Sequence, residues 1–466
     1  MNIKGTIKIH VIFTLALLIL SSCKKEDKFL DVKPQDKLFT ISTLRDCEYL
    51  LQNERIFNYF QPTLGKASTD EYFVSESDLI NLEPIYQNIY VWAKKIYSPG
   101  ANDANWSDAY SRVYYANTIL DALKLLHIEA EDSKRVERIR AMALFYRSYA
   151  FNSLMQIFTT PYDSATASTA LGIPLKLNSN MNEIPQRSSQ QECYRQIISD
   201  VLSTLMHLPI KADYITLPSQ NAAYGFLARV CLAIGNYTDA RLYANSALNI
   251  NDTLFDYNLA EPGPAFYYFM SLSQYPVPED IFHTIFLGDP LSSSVTRTIV
   301  DSSLYNSYEE NDLRKSMFFM DYLGQKRFKG SYEFKMVLSQ YEGIANDELY
   351  LIRGECAARM GDVESAISDL NKLLVKRYKK GTYIIKVTKD PLEALKLILE
   401  ERRKEMPFRG TRWTDLRRLN KDPRFSVTLK RIVNGTKYIL TPNDSRYAMP
   451  IPDNEIELSG IQQNNR

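Results

Sequence analysis

Apolar residues recur every third or fourth position over several long stretches of this chain, and that spacing predicts helices with one buried face. In 107–126 the recurring residues are Tyr110, Val113, Ile119, Leu120 and Leu123. A polar break at His127–Ser133 leads to 134–158, where Ile139, Met142, Phe145, Tyr146, Tyr149 and Leu154 repeat the pattern. Two such helices with a short link predict an antiparallel hairpin. The next stretch, 188–208, opens on Ser189-Gln190-Gln191-Glu192, the spacing of a capping box, and Pro209 stands just past its end.

Two further segments share one layout. In 219–250 an apolar helix through Phe226, Leu227 and Val230 runs to Gly235, and Ala240, Ala244 and Leu248 follow. In 346–377, Leu349, Leu351 and Cys356 lead to Gly361, and Ala366, Leu370 and Leu374 follow at the same offsets. Glycine suits a left-handed helix end, and a small alanine lets two helices approach closely. This is the design of a tetratricopeptide-like hairpin. The two units are not tandem, so the pattern predicts a helical scaffold with large insertions and excludes a continuous array.

The intervening 251–345 is rich in Pro, Gly, Ser and aromatics, with a short alternating run over Ile281–Leu287 that predicts a strand. Segments 60–106 and 159–187 are similarly loop-rich. The expected fold is therefore mainly α. Tetratricopeptide-like hairpins at about 107–158, 188–250 and 346–420 form a superhelical body, and the loop-rich segments form a variable lobe with short strands. The body as a whole is expected to span 42–466.

The N-terminus follows a different rule. Lys4 and Lys8 precede an apolar run from Val11 to Leu20, too short to cross a bilayer as a helix, and Leu20-Ser21-Ser22-Cys23 follows directly. This arrangement resembles a bacterial lipobox, in which the cysteine thiol is acylated. The expectation is a signal peptide over 1–22, lipidation at Cys23 and a charged tether over 23–41.

Composition narrows the function. A formal net charge of +1 leaves no basic excess for nucleic acid. The 31 tyrosines outnumber the 21 phenylalanines, which favours surfaces that need an apolar face with a polar tip. Cys47, Cys193, Cys231 and Cys356 are scattered, and Cys231 and Cys356 read as core residues. No H-E-x-x-H, Walker A loop, G-x-S-x-G or C-x-x-C is present, and His127, His207 and His283 have no partner at ligand spacing. No enzyme activity, cofactor or metal is expected. The run Glu400-Glu401-Arg402-Arg403-Lys404-Glu405 reads as a solvated helix face with a few inward pairs, Glu400 and Lys404 standing one turn apart.

Together the C-terminal residues resemble a known family. Glu401-Arg402-Arg403-Lys404-Glu405-Met406-Pro407-Phe408-Arg409-Gly410, followed by Arg412-Trp413-Thr414-Asp415-Leu416-Arg417-Arg418, is similar to the SusD/RagB pattern E-R-R-x-E-L-x-F-E-G-x-R-W-x-D-L-R-R. Met406 replaces Leu and Arg409 replaces Glu. Met449-Pro450-Ile451-Pro452-Asp453-Asn454-Glu455-Ile456 resembles that family's P-I-P-x-x-E-I, and Asp347–Glu355 its E-x-Y-L-I-R-A-E helix, with Gly354 for Ala. Asp312-Leu313-Arg314 and Lys28-Phe29-Leu30-Asp31 also fit.

The resemblance implies a surface-exposed, lipid-anchored outer-membrane protein. Such a protein delivers glycans, or in some members peptides, to a SusC-like TonB-dependent transporter. A helical-repeat adaptor without a transport role is the competing reading. The motif residues are expected to be framework, with ligand contacts left to the variable lobe. The candidates there are Asp70 and Tyr72, Trp92, Asn102 and Asp103, and Tyr267, Tyr268 and Tyr275. Aromatic rings would stack on sugar faces while carboxylates and amides reach the hydroxyls. Trp106 is assigned to the core.

Overall fold

The computed structural model describes residues 41–260, 276–332 and 339–466. The signal peptide, most of the tether, Cys23, Tyr267, Tyr268 and Tyr275 lie outside the described residues. The chain divides at Ser42, and Thr43–Arg466 forms a unit of its own.

The predicted hairpins are present. Helix α1, Ala104–Leu125, and helix α2, Ser133–Phe158, pack against each other and bury Val113, Ile119, Leu120, Phe145 and Leu154. Trp106 is buried at the start of α1 with its ring edge-on to Phe158. Helix α3, Gln190–Thr204, begins with the expected capping box: Glu192 N donates to Ser189 Oγ, and Ser189 N donates to Glu192 Oε2. It ends before residue 208, its last turn loosening ahead of Pro209.

Helices α4, Gln220–Ala233, and α5, Tyr237–Ile250, turn at Gly235, and helices α6, Asn346–Arg359, and α7, Val363–Leu374, turn at Gly361. Both glycines are left-handed, at φ +77° and +83°, and a Cβ on either would meet nothing within 4 Å. Backbone conformation, and not space, therefore calls for glycine. Ala240, Ala244 and Ala366 are fully buried at the helix contacts.

One expectation is overturned. Helix α5 packs directly on α6 although residues 251–345 separate them, and α2, α3, α4 and α5 also pack in succession. Helix α8, Pro391–Glu405, closes the series against α6 and α7. The array is broken in sequence but continuous in space, because the insertion leaves and re-enters at neighbouring helices.

The loop-rich lobe is held by short antiparallel ladders. Tyr72–Phe73 pairs with Ile299–Val300, joining the 60–106 segment to the insertion. The single strand expected over 281–287 is two. Asp280–Phe282 pairs with Ile344–Ala345, and Ile285–Leu287 pairs with Ser339–Tyr341.

The charged run on α8 is a second correction. Glu401, Arg402, Lys404 and Glu405 are buried, and Lys404 pairs with Glu401 instead of Glu400. The cause is packing on two sides, with α6 and α7 on one and Asp312–Arg314 on the other. Arg314 reaches Glu401 at 2.7 Å and Glu405 at 2.9 Å, Arg377 reaches Glu405 at 2.7 Å, and Arg402 reaches Asp415 at 2.8 Å. Charges can be buried here because each meets an opposite partner. The four described cysteines are buried and free. Burial pushes the Cys231 and Cys356 thiols up to about 12, which leaves them protonated and inert at neutral pH.

Candidate functional site

The residues expected to bind ligand between 70 and 103 form a structural knot. Helix α9, Thr411–Leu419, carries Arg412, whose Nε and Nη2 grip the Asp70 carboxylate at 2.7 and 2.8 Å. Burial alone would raise the pKa of Asp70, but Arg412 and Arg403 outweigh it and hold the carboxyl below its ordinary range. Tyr72 is buried and its hydroxyl donates to the Ala67 carbonyl. Trp92 is 2% exposed and its Nε1 donates to the Ser68 carbonyl at 3.0 Å. The Arg431 guanidinium lies over the rings of Tyr90, Trp92 and Tyr72, at 3.8, 4.7 and 5.4 Å from their centroids.

Neither Tyr72 nor Trp92 therefore offers a ring face to a sugar. Asp103 is the buried N-cap of α1, accepting from Asn105 N at 3.0 Å and from the Tyr97 hydroxyl. Asn102 is exposed and accepts from Asn454 Nδ2. In this structure Tyr72, Trp92 and Asp103 are buried with their polar atoms bonded to the protein, and the half-buried Asp70 is engaged by Arg412 and Arg403.

Open space with suitable chemistry lies elsewhere. A pocket of about 580 Å³ opens between the α3–α4 connector, the end of α5 and residues 276–281. Tyr214, a residue 66% exposed, lines it. Asn221, in the first turn of α4, is 4% exposed, and its Oδ1 accepts from no donor among the described residues. Asn251, Thr253 and Lys211 add hydrogen-bonding groups to the wall. An uncovered aromatic face beside an unsatisfied amide and a ring of polar side chains can hold a sugar or a short peptide. Pro276, on the same wall, follows Tyr275 directly in the chain.

A second pocket, about 510 Å³ around Tyr305, is less suited. The ammonium groups of Lys315 and Lys326 lie 5.0 and 4.7 Å from that ring's centroid and take the place of a ligand.

Sequence reasoning missed Tyr214 and Asn221. The available signal was an aromatic in the otherwise polar Lys211-Ala212-Asp213-Tyr214 link; Asn221 reads only as part of a helix start. It also missed the partner of His283. That histidine is buried with Nδ1 2.6 Å from Asp280 Oδ2, and Tyr341 donates to the other Asp280 oxygen at 2.7 Å. Among the described residues no group of three or more His, Cys, Asp or Glu is placed to hold a metal ion. Nor is any described helix long and apolar enough to cross a membrane.

Comparison with known proteins covers both ends of the chain. Residues 28–232 match the SusD-like family model described as starch-binding associating with outer membrane, and residues 347–465 match the SusD family model. SusD-like protein P2 of Formosa agariphila is 23% identical over 380 residues, covering 69% of this chain and 72% of that protein. A SusD superfamily protein of Bacteroides thetaiotaomicron superposes with a TM-score of 0.70 at 21% identity, over 91% of this chain and all of that one. Surface glycan-binding protein A of Bacteroides uniformis superposes at 0.68 with 16% identity, over 90% and 98% of the two chains.

Proposed function

Since this chain belongs to the SusD family, we propose that it is a surface-exposed, lipid-anchored outer-membrane protein that captures nutrient oligomers, glycans in the first place, and passes them to a SusC-like TonB-dependent transporter. The observation that carries this reading is how the family match is distributed. The two matched ranges hold the helical body apart from α5, and the unmatched 233–346 between them holds α5 and the longest loop-rich segment, 251–345. A largely shared body with one long private segment is what a common delivery apparatus with a changing cargo requires.

The cargo site we assign is the Tyr214 pocket; Tyr267, Tyr268 and Tyr275, outside the described residues, stay candidates on the sequence alone. Glycans are preferred to peptides because the first family model is described as starch-binding and because the pocket pairs a bare ring with amides. Binding alone is the expected activity.

A glycan array followed by calorimetry on the best binder tests the site. Tyr214→Ala should weaken binding about tenfold, the equivalent of about 1.4 kcal/mol, and Tyr267→Ala with Tyr268→Ala should weaken it further. Retention by a peptide library with no response on the array would reverse the choice of cargo. Unchanged glycan affinity in the Tyr214 variant would remove the pocket. Anchoring is tested separately: Cys23→Ala should move the protein from the membrane to the soluble fraction with its thermal unfolding unchanged. Retention of that variant on membranes would defeat the lipoprotein reading.

A further inference from the structure

A small polar cavity of about 70 Å³ lies where the Leu64–Ala67 turn, α2 and the Arg409–Thr414 segment meet. That is room for several waters or one small anion. Three cations line it, Lys66, Arg229 and Arg409, against the single carboxylate of Glu342. Two of the three each hydrogen-bond to more than one protein group. Arg229 is held by Glu348 at 2.6 Å, and Lys66 donates to Ser292 Oγ at 2.7 Å and Ser293 Oγ at 3.2 Å.

Arg409 is different. It is 2% exposed, and only its Nη1 has a partner, the Asp347 carboxylate. Nε and Nη2 meet no acceptor among the described residues. These two N–H groups form the side-on edge of a guanidinium, which matches the two oxygens of a carboxylate or phosphate. The same edge of Arg412 grips Asp70 in this protein. The Arg409 guanidinium lies 5.1 and 4.9 Å from the ring centroids of Tyr332 and Tyr341, so its direction is set before any ligand arrives.

Two more orphaned groups line the same cavity. Among the described residues, Trp413 Nε1 is a buried donor without an acceptor, and Gln61 Oε1 is a buried acceptor without a donor. A buried charged donor left unsatisfied is costly, so the arrangement is incomplete as protein alone. Arg409 also stands where the family's usual pattern has glutamate, which would offer no such fork.

We propose that this cavity is a binding site for a small oxyanion, a carboxylate or a phosphate, held side-on by Arg409 with Trp413 Nε1 as a further donor. Gln61 Oε1 would receive the hydroxyl of a singly protonated anion such as hydrogen phosphate. The anion is either free in solution or the acidic group of a larger ligand reaching in past half-buried wall residues such as Ser153 and Gln156.

The test is a titration of the full-length protein with inorganic phosphate, acetate and glucuronate at constant ionic strength, with glucose as a neutral control. Thermal unfolding is read throughout. Wild type should show a saturable rise in Tm. A response to phosphate or acetate assigns a free anion, and one confined to glucuronate assigns an acidic sugar. Gln61→Glu places a carboxylate in the cavity and should abolish the rise while circular dichroism stays native. Arg409→Lys, which keeps the charge and loses the fork, should weaken it at least tenfold. If Arg409→Lys does not fold, the wild-type and Gln61→Glu titrations decide alone. No saturable rise with any of the three anions, or an equal rise in Gln61→Glu, overturns the proposal.

Discussion

Trp92 shows how a residue's role depends on what folds over it. An aromatic in a loop-rich segment reads naturally as a stacking platform. In the structure its indole N–H is spent on Ser68, and its ring faces the Arg431 guanidinium, 339 positions further along the chain. Nothing local in the sequence announces that partner, so the ring's burial was not legible. Trp92→Ala should therefore cost about 3–5 kcal/mol of folding stability, as large-to-small core substitutions do. Tyr214→Ala, at an exposed ring, should stay within about 0.5 kcal/mol. Urea unfolding of the two variants separates the roles. A Trp92 variant of native stability that fails to hold ligand would restore that residue as a platform.

At the scale of elements the sequence was far more readable, because the deciding interactions are local. Hairpins α1–α2, α4–α5 and α6–α7 follow from three- and four-residue spacing, and the α3 start follows from four consecutive residues. Glycines divide by cause in the same way. Gly361 is left-handed, so Gly361→Ala should cost about 1–2 kcal/mol although nothing stands near a Cβ there. Gly354 lies inside α6, where a Cβ would sit 3.4 Å from the Ala366 carbonyl and from Ile398 Cδ1, an ordinary contact. Gly354→Ala should stabilise by about 0.5–1 kcal/mol, since glycine is a poor helix former. Thermal unfolding of the pair should move in opposite directions, and movement in the same direction would refute this account. The α8 charges were misread for the converse reason: helical spacing says which residues share a face, but not that both faces are covered.

The buried ion pairs set how the whole molecule responds to acid. Burial alone would raise the pKa of Glu348, but Arg229 and Arg402 outweigh it and hold it down at about 2. Glu355 is likewise held at about 2 by Arg418 and Arg359 against its burial. A carboxylate with a depressed folded pKa adds stability that is complete above its unfolded value of 4.5 and is lost as pH falls through 2. The two together should take on the order of 6 kcal/mol from the fold across that window. Urea unfolding from pH 6 to pH 2 should therefore show a steep fall that begins near pH 4.5. A flat profile would mean that the arginine partners are not engaged in solution.

The direct packing of α5 on α6 has a consequence for how this protein can change over evolutionary time. The insertion between them begins and ends at adjoining points of the helical stack, so its length adds little to the entropy of closing it, about 0.6 kcal/mol for each doubling. Mutation can therefore lengthen, shorten or replace that stretch while the surface beneath it stays in register. A lineage can rewrite that one loop without having to reinvent the scaffold that presents it.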